Sequence, residues 1–309
     1  MSATTTLLLA LLFVLLFLGS ESIQPKTDLP ILLDFFLFNN EPVSYLRMQL
    51  LFPLVDFFVL AESRLTSSKR LRQLPSFKHR RLLSQFREKI ICIEVPTSLL
   101  LNATSTWDVE RKSKDFALRK IAEFNFSRFI IVISDADEVP SREVMAGLPS
   151  RYDVLDMPVH ISMPLFYYNF HWLANEVWKH SFVISDSRLA KELSASDPNH
   201  MWTHNLRYMT PVQEVRGGWH CSSCMSVARI IDKSVSWPHS GDFPVPDEQW
   251  VLECIDKGFD VYRRGYTFQV NTKYSEPHMS CEPVICQSLD EWIVTANDED
   301  GDGPLQYGV

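Results

Sequence analysis

Short apolar runs alternate with amphipathic stretches through the first half of the chain, and this alternation restricts the fold most. Four runs are apolar almost throughout: residues 31–38, 55–62, 90–95 and 129–134. Between them, residues 42–53 and 107–124 carry apolar side chains at helical spacing. Strands that are apolar on both faces and are separated by helices are typical of a parallel sheet covered on both sides. The sequence therefore predicts a doubly wound α/β unit over residues 30–150.

The chain changes character after residue 150. It becomes irregular and rich in aromatic residues, as in MPLFYYNFHW at 163–172. We expect residues 151–295 to form a second half that packs on the sheet, so that 30–295 is one globular unit. The last residues, 296–309, are acidic and contain few apolar side chains, which predicts a disordered tail.

The N-terminus indicates the compartment. Residues 7–18 form an unbroken apolar run that is short for a membrane span, so 1–22 is predicted to be a signal peptide or a short membrane anchor. Two glycosylation sequons, at Asn102 and Asn125, agree with a lumenal location. The Asn125 sequon directly precedes a buried strand, so we expect it to be the more occluded. The net charge of −8 argues against a nucleic-acid-binding protein.

The cysteine count is even, which permits disulfide bonds in an oxidising lumen. The chain has six cysteines, and two pairs lie close in sequence: Cys221 with Cys224, and Cys281 with Cys286. These four residues are the disulfide candidates. A zinc site built from the same four is the alternative, which an oxidising compartment disfavours.

Three carboxylates follow the fourth apolar run, at Asp135, Asp137 and Glu138. Like charges this close repel one another unless cations or protons compensate them. The plainest interpretation is a surface turn in which Asp135 caps a helix. A second is a phosphohydrolase of the haloacid dehalogenase type, although three predicted strands precede the motif here. A third is a nucleotide-sugar transferase, in which a D-x-D pair holds a divalent cation on the donor diphosphate.

Several longer motifs favour the third interpretation. They are VDFFVLAES (55–63), FIIVISDADEVPSRE (129–143), GGWHCSSC (217–224), HSGDFPVPDEQWVLECIDKGFD (239–260) and SEPHM (275–279). In this order and spacing, from about residue 33 to about residue 279, the chain resembles glycosyltransferase family 17. The members of that family are β-1,4-mannosyl-glycoprotein 4-β-N-acetylglucosaminyltransferases.

The resemblance implies a fold and an activity. The implied fold is GT-A-like, with a Rossmann-type, mostly parallel sheet, helices on both faces and an irregular acceptor-side half. The implied reaction is inverting transfer of N-acetylglucosamine from UDP-GlcNAc to the β-linked core mannose of N-glycans. It implies Mn²⁺, or Mg²⁺, as cofactor, N-glycosylated proteins as acceptors and the Golgi lumen as location.

The resemblance also implies roles for individual residues. Asp135 and Asp137 match the family's metal and donor motif, and Glu62 with Ser63 matches a strand-end E-S pair at the donor. Four residues match a W-H-C-x-x-C motif: Trp219, His220, Cys221 and Cys224. Within and just after it, Ser223 and Met225 replace aromatic residues that are common there.

Histidines and further carboxylates complete the predicted site. His278 and His220 are candidates to complete the metal shell. An inverting transferase also needs a carboxylate that takes the proton of the acceptor hydroxyl. We assign this role to Asp242, with Glu248 as the next candidate, because Asp247 is well placed to cap a helix instead. The alternative functions are the phosphohydrolase and a catalytically silent lumenal protein that binds glycans.

Overall fold

A ten-stranded mixed sheet forms the centre of the protein, and its strand order is β3-β2-β1-β4-β7-β6-β9-β5. The computed structural model describes residues 29–39, 41–75, 83–195, 202–210 and 213–272. The strands are β1 (Ile31–Leu37), β2 (Phe57–Glu62), β3 (Ile90–Glu94), β4 (Phe129–Ile133), β5 (Glu138–Val139), β6 (Val159–Tyr167), β7 (Trp172–Ser185), β8 (Gln213–Arg216), β9 (Trp219–Ser222) and β10 (Gln269–Val270). Off the main path, β8 pairs with β6 and β10 pairs with β7.

Helices cover the sheet. They are α1 (Pro42–Leu51), α2 (Thr97–Leu101), α3 (Thr106–Ala122), α4 (Arg142–Gly147), α5 (Asp186–Ser194), α6 (Trp202–Tyr208), α7 (Val227–Ser236) and α8 (Glu248–Lys257). Two 3₁₀ helices occupy Ser84–Lys89 and Pro149–Val154. Among the described residues, no helix is both long and apolar enough to cross a membrane.

The four predicted strands form the parallel part of the sheet, β3-β2-β1-β4. Successive strand residues point to opposite faces, so each strand contributes to two separate cores. On one face Leu33 and Phe35 pack with α3, and on the other Leu32 and Phe36 pack with α1. This arrangement explains why these strands are apolar throughout. The predicted fold class, a mixed α/β protein with a mostly parallel sheet and flanking helices, is confirmed.

The same sheet continues into the second half of the chain. There β7 pairs antiparallel with β4 and with β6, so the sheet crosses the predicted division at residue 150. The aromatic stretch 163–172 does not indicate these long strands, because its apolar and polar residues do not alternate regularly. The structure gives the reason: the β6–β7 register shifts twice, once beside Pro164. A proline inside a strand is tolerated at such irregular positions.

A third layer packs on the far end of β6 and β7. Helices α7 and α8 enclose an aromatic core with Tyr168, Trp172 and Phe268. The Nε1–H of Trp172 donates to the carbonyl of Ile255 at 2.6 Å, which attaches α8 to the sheet. Gly258 ends α8 at φ 68°, and a Cβ there would come within 2.5 Å of the Trp172 ring. This layer places α7 beside the carboxyl ends of the parallel strands.

A fully buried ion pair joins α1 to the centre of the sheet. Arg47 of α1 and Asp34 of β1 both have no exposed side-chain surface. The guanidinium contacts Asp34 through Nε at 2.8 Å and through Nη2 at 2.5 Å, a bidentate geometry. Its remaining donors reach the Ser134 hydroxyl at 2.6 Å and the carbonyls of Asp135 and Glu138 at 2.7 and 2.9 Å. Arg47 therefore fixes the turn that follows β4.

We predict that Arg47→Met destabilises the protein by about 3–5 kcal/mol, because it leaves Asp34 as a buried charge without its partner. Arg64→Met is the matched control. Arg64 pairs with Glu94 at 2.9 Å, but both side chains are about half exposed, and exposed pairs contribute about 0–1 kcal/mol. Urea denaturation of both variants measures the difference. Equal losses of stability in the two variants would contradict the structural role of Arg47.

Candidate functional site

A deep cleft of about 1400 Å³ opens where the carboxyl ends of the parallel strands meet the β6–β7 pair. Asp135 and Asp137 line it after β4, and Glu62 lines it at the end of β2. Open α/β sheets bind their ligands beyond the carboxyl ends of the strands. The opposite wall comes from α7 and β9, which contribute Lys233 and His220. The cleft is therefore the candidate active site.

Asp135 is the more exposed of the two aspartates, with 35% of its side-chain surface accessible. Lys114 of α3 lies 2.7 Å from its Oδ1, and Arg207 of α6 lies 2.5 Å from its Oδ2. Burial alone would raise the pKa of this carboxyl, but Arg207 and Lys114 outweigh burial and hold it well below its usual range. Asp135 is therefore ionised over the physiological pH range.

Asp137 is almost fully buried and contacts different cations. Its Oδ2 lies 3.3 Å from Nζ of Lys233, and its Oδ1 lies 3.5 Å from Nε2 of His220. Burial opposes ionisation here too, but Lys233 and His220 together lower the pKa of Asp137 far below its ordinary value. Lys233 also contacts Glu41 at 3.2 Å, so this lysine bridges two carboxylates. Burial raises the pKa of Glu41 in spite of that contact.

Glu138 is a structural residue rather than a free acid. Its side chain is fully buried and accepts hydrogen bonds from Trp178 Nε1, Ser181 Oγ and Arg207 Nη2, each at 2.6 Å. It also accepts from the backbone N–H of Asp135 at 3.0 Å. Both of its oxygens are thus used to order the turn and to orient Arg207 toward the cleft.

The backbone around the aspartates is held from two sides. On the side of α1, Arg47 donates to the carbonyls of Asp135 and Glu138, as described above. From the other side, the N–H of Cys221 in β9 donates to the carbonyl of Asp137 at 3.0 Å. Cys221 forms a disulfide with Cys224, and both cysteines are buried. The predicted pair Cys221 with Cys224 is therefore present in the structure, next to the site.

The remaining predicted donor residue also lies in the cleft. Glu62 is buried at the end of β2, in register with Glu94 of β3. The Oγ of Ser63 accepts from the N–H of Leu65 at 3.0 Å, which shapes the loop after the strand. The structure thus brings Glu62, Asp135 and Asp137 to one cleft.

The predicted base lies beside the cleft. Asp242 is 54% exposed and is not itself a lining residue, but it contacts Nδ1 of His239, which lines the cleft, at 2.8 Å. Asp247 caps α8, because its Oδ1 accepts from the N–H of Trp250 at 2.8 Å, as its position predicted. Glu248, in the first turn of α8, is also not a lining residue of the cleft.

Several predicted features lie outside the described residues. They are His278, Cys281, Cys286, the N-terminal segment 1–22, the division at 295 and the tail 296–309. The two sequons are described. Asn102 and Asn125 are both exposed, so the expected occlusion of Asn125 is wrong: its turn between α3 and β4 faces solvent.

Three cations of the site were missed by sequence reasoning, namely Lys114, Arg207 and Lys233. The repulsion expected among the carboxylates is present, but these cations outweigh it at Asp135 and Asp137. The sequence contains a signal for one of these cations. Lys114 precedes Ala117 by three residues, the spacing that places both side chains on the buried face of α3. Arg207 and Lys233 come from helices about 70 and 100 residues further along, with no local pattern that links them to Asp135 or Asp137.

The site has the donor atoms, but not the number of ligands, for a metal ion held by the protein alone. Within the described part of the chain, no group of three or more His, Cys, Asp or Glu side chains is arranged to hold one. The cleft offers the carboxylate oxygens of Asp135 and Asp137, which are hard ligands. Mg²⁺ and similar ions commonly bind one or two carboxylates and complete their shell with substrate phosphates and water. The two aspartates supply oxygens for that kind of site, and an ion bound there would share them with the side chains that contact them, namely Lys114, Arg207, Lys233 and His220.

Comparisons with solved structures give only weak likeness. A 4-diphosphocytidyl-2C-methyl-D-erythritol synthase from Anaerococcus prevotii is 11% identical, with a TM-score of 0.36, over 61% of this chain and 87% of that one. A mannose-1-phosphate geranyltransferase from Thermus thermophilus is 10% identical, with a TM-score of 0.27, over 62% of this chain and 74% of that one. At these TM-scores neither likeness supports a functional argument. No curated protein matches the chain.

The family comparison is decisive by contrast. The model of glycosyltransferase family 17 matches residues 22–268, which include every strand and helix named above except the last short strand, β10. The matched region also contains the cleft, the two aspartates and the disulfide. The chain belongs to glycosyltransferase family 17.

Proposed function

We propose that this glycosyltransferase moves N-acetylglucosamine from UDP-GlcNAc to the β-linked core mannose of N-glycans. The transfer inverts the anomeric centre, forms a β-1,4 linkage and takes place in the Golgi lumen. Membership of the family supports glycosyl transfer with a nucleotide-sugar donor and a glycan acceptor. The sugar, the linkage and the location rest on the motif resemblance. The observation that carries the proposal is the position of Asp135 and Asp137 at a strand end in a cleft large enough for both substrates.

A divalent cation, Mn²⁺ or Mg²⁺, is part of the proposal. Asp135 and Asp137 would hold it, and the donor diphosphate would complete its ligands. When bound, such an ion neutralises the negative charge that develops on the departing diphosphate. His278 remains a proposed further ligand from the sequence, outside the described residues.

The protein's own cations prepare the cleft for an anionic donor. Lys114, Arg207 and Lys233 keep the two aspartates ionised and fixed. Arg207 and Lys233 also line the cleft, where a diphosphate would be attracted, and Lys114 contacts Asp135. Because these side chains are largely buried, solvent screens them less than surface charges. We therefore propose that they orient the donor and stabilise the leaving UDP.

The two alternative functions receive less support. A phosphohydrolase has no support from the family assignment, which indicates glycosyl transfer. A silent glycan-binding protein has no need for aspartates held in the ionised state at a strand end. Both alternatives remain distinguishable by experiment.

Incubation of the purified protein with UDP-GlcNAc and an N-glycan acceptor tests the function. We expect transfer of N-acetylglucosamine that requires Mn²⁺ or Mg²⁺ and stops when EDTA removes the ion. Product mass and linkage analysis by NMR identify the new bond. Turnover of p-nitrophenyl phosphate without transfer would point to the phosphohydrolase, and glycan binding with no turnover would point to the silent protein.

Asp137→Asn should abolish the metal-dependent part of UDP binding, measured by calorimetric titration with and without Mn²⁺. Removal of one of several clustered acids would relieve repulsion if none were paired, but Asp137 contacts His220 and Lys233. The variant should therefore lose about 1–3 kcal/mol of stability, since these two side chains are left buried without that partner. Asp256→Asn, in an exposed position of α8, is the matched control. Unchanged metal-dependent affinity in the Asp137 variant would rule this carboxylate out as a metal ligand.

The titration of His220 provides an independent test of the Asp137 contact. Burial lowers the pKa of His220, but Asp137 outweighs burial and raises it above its ordinary value of 6.5. A raised folded-state pKa contributes stability that is fully present below about 6.5 and is lost as the pH rises through the folded value. We expect NMR of the imidazole to report the raised pKa. In Asp137→Asn the pKa should fall, because the largest influence that opposes burial is removed and only the weaker effects of Glu138 and Asp135 remain; an unchanged pKa would refute the pairing.

A further inference from the structure

One carboxylate in the cleft lacks a cationic partner. The other acids that line it are engaged: Glu41 with Lys233, Glu110 with Lys114, and both aspartates as described. Two more, Glu62 and Asp232, also interact with other residues. Glu176 of β7 lines the cleft, is exposed, and makes no hydrogen bond or ion pair with any residue in the described ranges.

The backbone places Glu176 at an irregular point of its strand. Between the pairs Pro164–Val177 and Phe166–Leu173, β7 advances four residues while β6 advances two. Glu176 lies in this bulge. Bulges re-aim side chains and are over-represented beside active sites. The irregularity is therefore a structural reason why this side chain reaches the cleft.

Glu176 is also close to the aspartate motif along the strand. Trp178, two residues further on, packs its ring 4.5 Å from the ring of His220, and His220 contacts Asp137. Two residues of a strand span about 7 Å. Glu176 is thus separated by one residue from Trp178, which packs on the histidine that contacts Asp137.

The surroundings of Glu176 suit a sugar ligand. Tyr167 at the end of β6 lines the cleft together with Glu176. Tyr266 lines the cleft too and is 59% exposed, whereas Tyr262 is buried and Arg264 is paired with Asp260. Aromatic rings with polar tips offer a face to the C–H side of a sugar and donors to its hydroxyls. Tyr266 therefore offers an exposed ring to an acceptor sugar in the same cleft as Glu176.

We propose that Glu176 is the general base of the transfer, an inference that rests on the proposed function. The acceptor hydroxyl oxygen bonds to the anomeric carbon of the donor sugar while the bond from that carbon to the diphosphate oxygen breaks. The bonding electrons leave with UDP, and the hydroxyl proton passes to the Glu176 carboxylate. The protonated Glu176 then releases its proton to solvent after the products depart.

Glu176 satisfies the requirements for a base better than Asp242. A base must reach the acceptor within the cleft, and Asp242 is not among the lining residues. A nearby cation favours the charged form of a carboxylate and weakens it as a proton acceptor, which disfavours Asp135, Asp137 and Glu110. Among the cleft carboxylates, Glu176 combines access with the absence of such a partner in the described structure.

The test compares Glu176→Gln with Glu253→Gln, a matched change on α8 outside the cleft, where Glu253 pairs with Lys257. We expect kcat for transfer to fall about 10²–10⁴-fold in Glu176→Gln. UDP affinity with Mn²⁺ and the melting temperature should stay as in the wild type. The decline of kcat/KM at low pH that reports the base should also disappear from the residual activity. Glu253→Gln should match the wild type in every measurement.

Each other outcome overturns the inference in a distinguishable way. Near-normal turnover of Glu176→Gln removes Glu176 from the base role while the proposed function stands. Loss of turnover in Asp242→Asn, with Glu176→Gln active, restores the sequence assignment. Reduced UDP affinity in Glu176→Gln places the residue at the donor instead. Absence of any transfer by the wild-type protein overturns the proposed function, and this inference with it.

Discussion

The architecture of the site depends on the buried pair between Arg47 and Asp34. A guanidinium without solvent contact must give its donors to the protein, and here they go to Asp34, Ser134 and two carbonyls of the turn after β4. The pair therefore converts a flexible strand end into a fixed turn. Because Asp34 belongs to the central strand and Arg47 to a covering helix, the position of the turn is set by the packing of the whole parallel sheet.

Charge balance is the second organising feature. The acidic turn would repel itself, yet cations from three separate helices meet there and compensate it. These helices pack on two parts of the fold: α3 and α6 on one sheet face, and α7 in the aromatic layer. The turn is thus the place where the two halves of the chain are joined electrostatically, and a ligand there would contact both.

The hydrophobic pattern of the sequence predicted those elements whose local residue pattern matches their environment in the folded protein. The four apolar runs became β1 to β4, and Asp135, Asp137 and Glu62 meet in one cleft because parallel strand ends share an edge. Asp34 within an apolar strand and Arg47 within an apolar helix were visible as misplaced charges, but their pairing is a long-range property. The strands β6 and β7 were hidden by register shifts. The assignment of Asp242 followed from loop chemistry alone, which does not show whether the side chain itself reaches the cleft; in the structure it contacts the cleft residue His239.

The Cys221–Cys224 disulfide has a consequence for how the site matures. Cys221 lies in β9 next to His220, and its N–H donates to the carbonyl of Asp137, whereas Cys224 lies just beyond the end of the strand. The wall of the cleft that β9 forms is therefore completed by oxidation of Cys221 and Cys224 to a disulfide, in addition to folding of the chain. A thiol form made in a reducing cytosol would hold β9 against the turn through non-covalent contacts only. The catalytic geometry of this protein is in that sense coupled to the redox state of the compartment in which it is assembled.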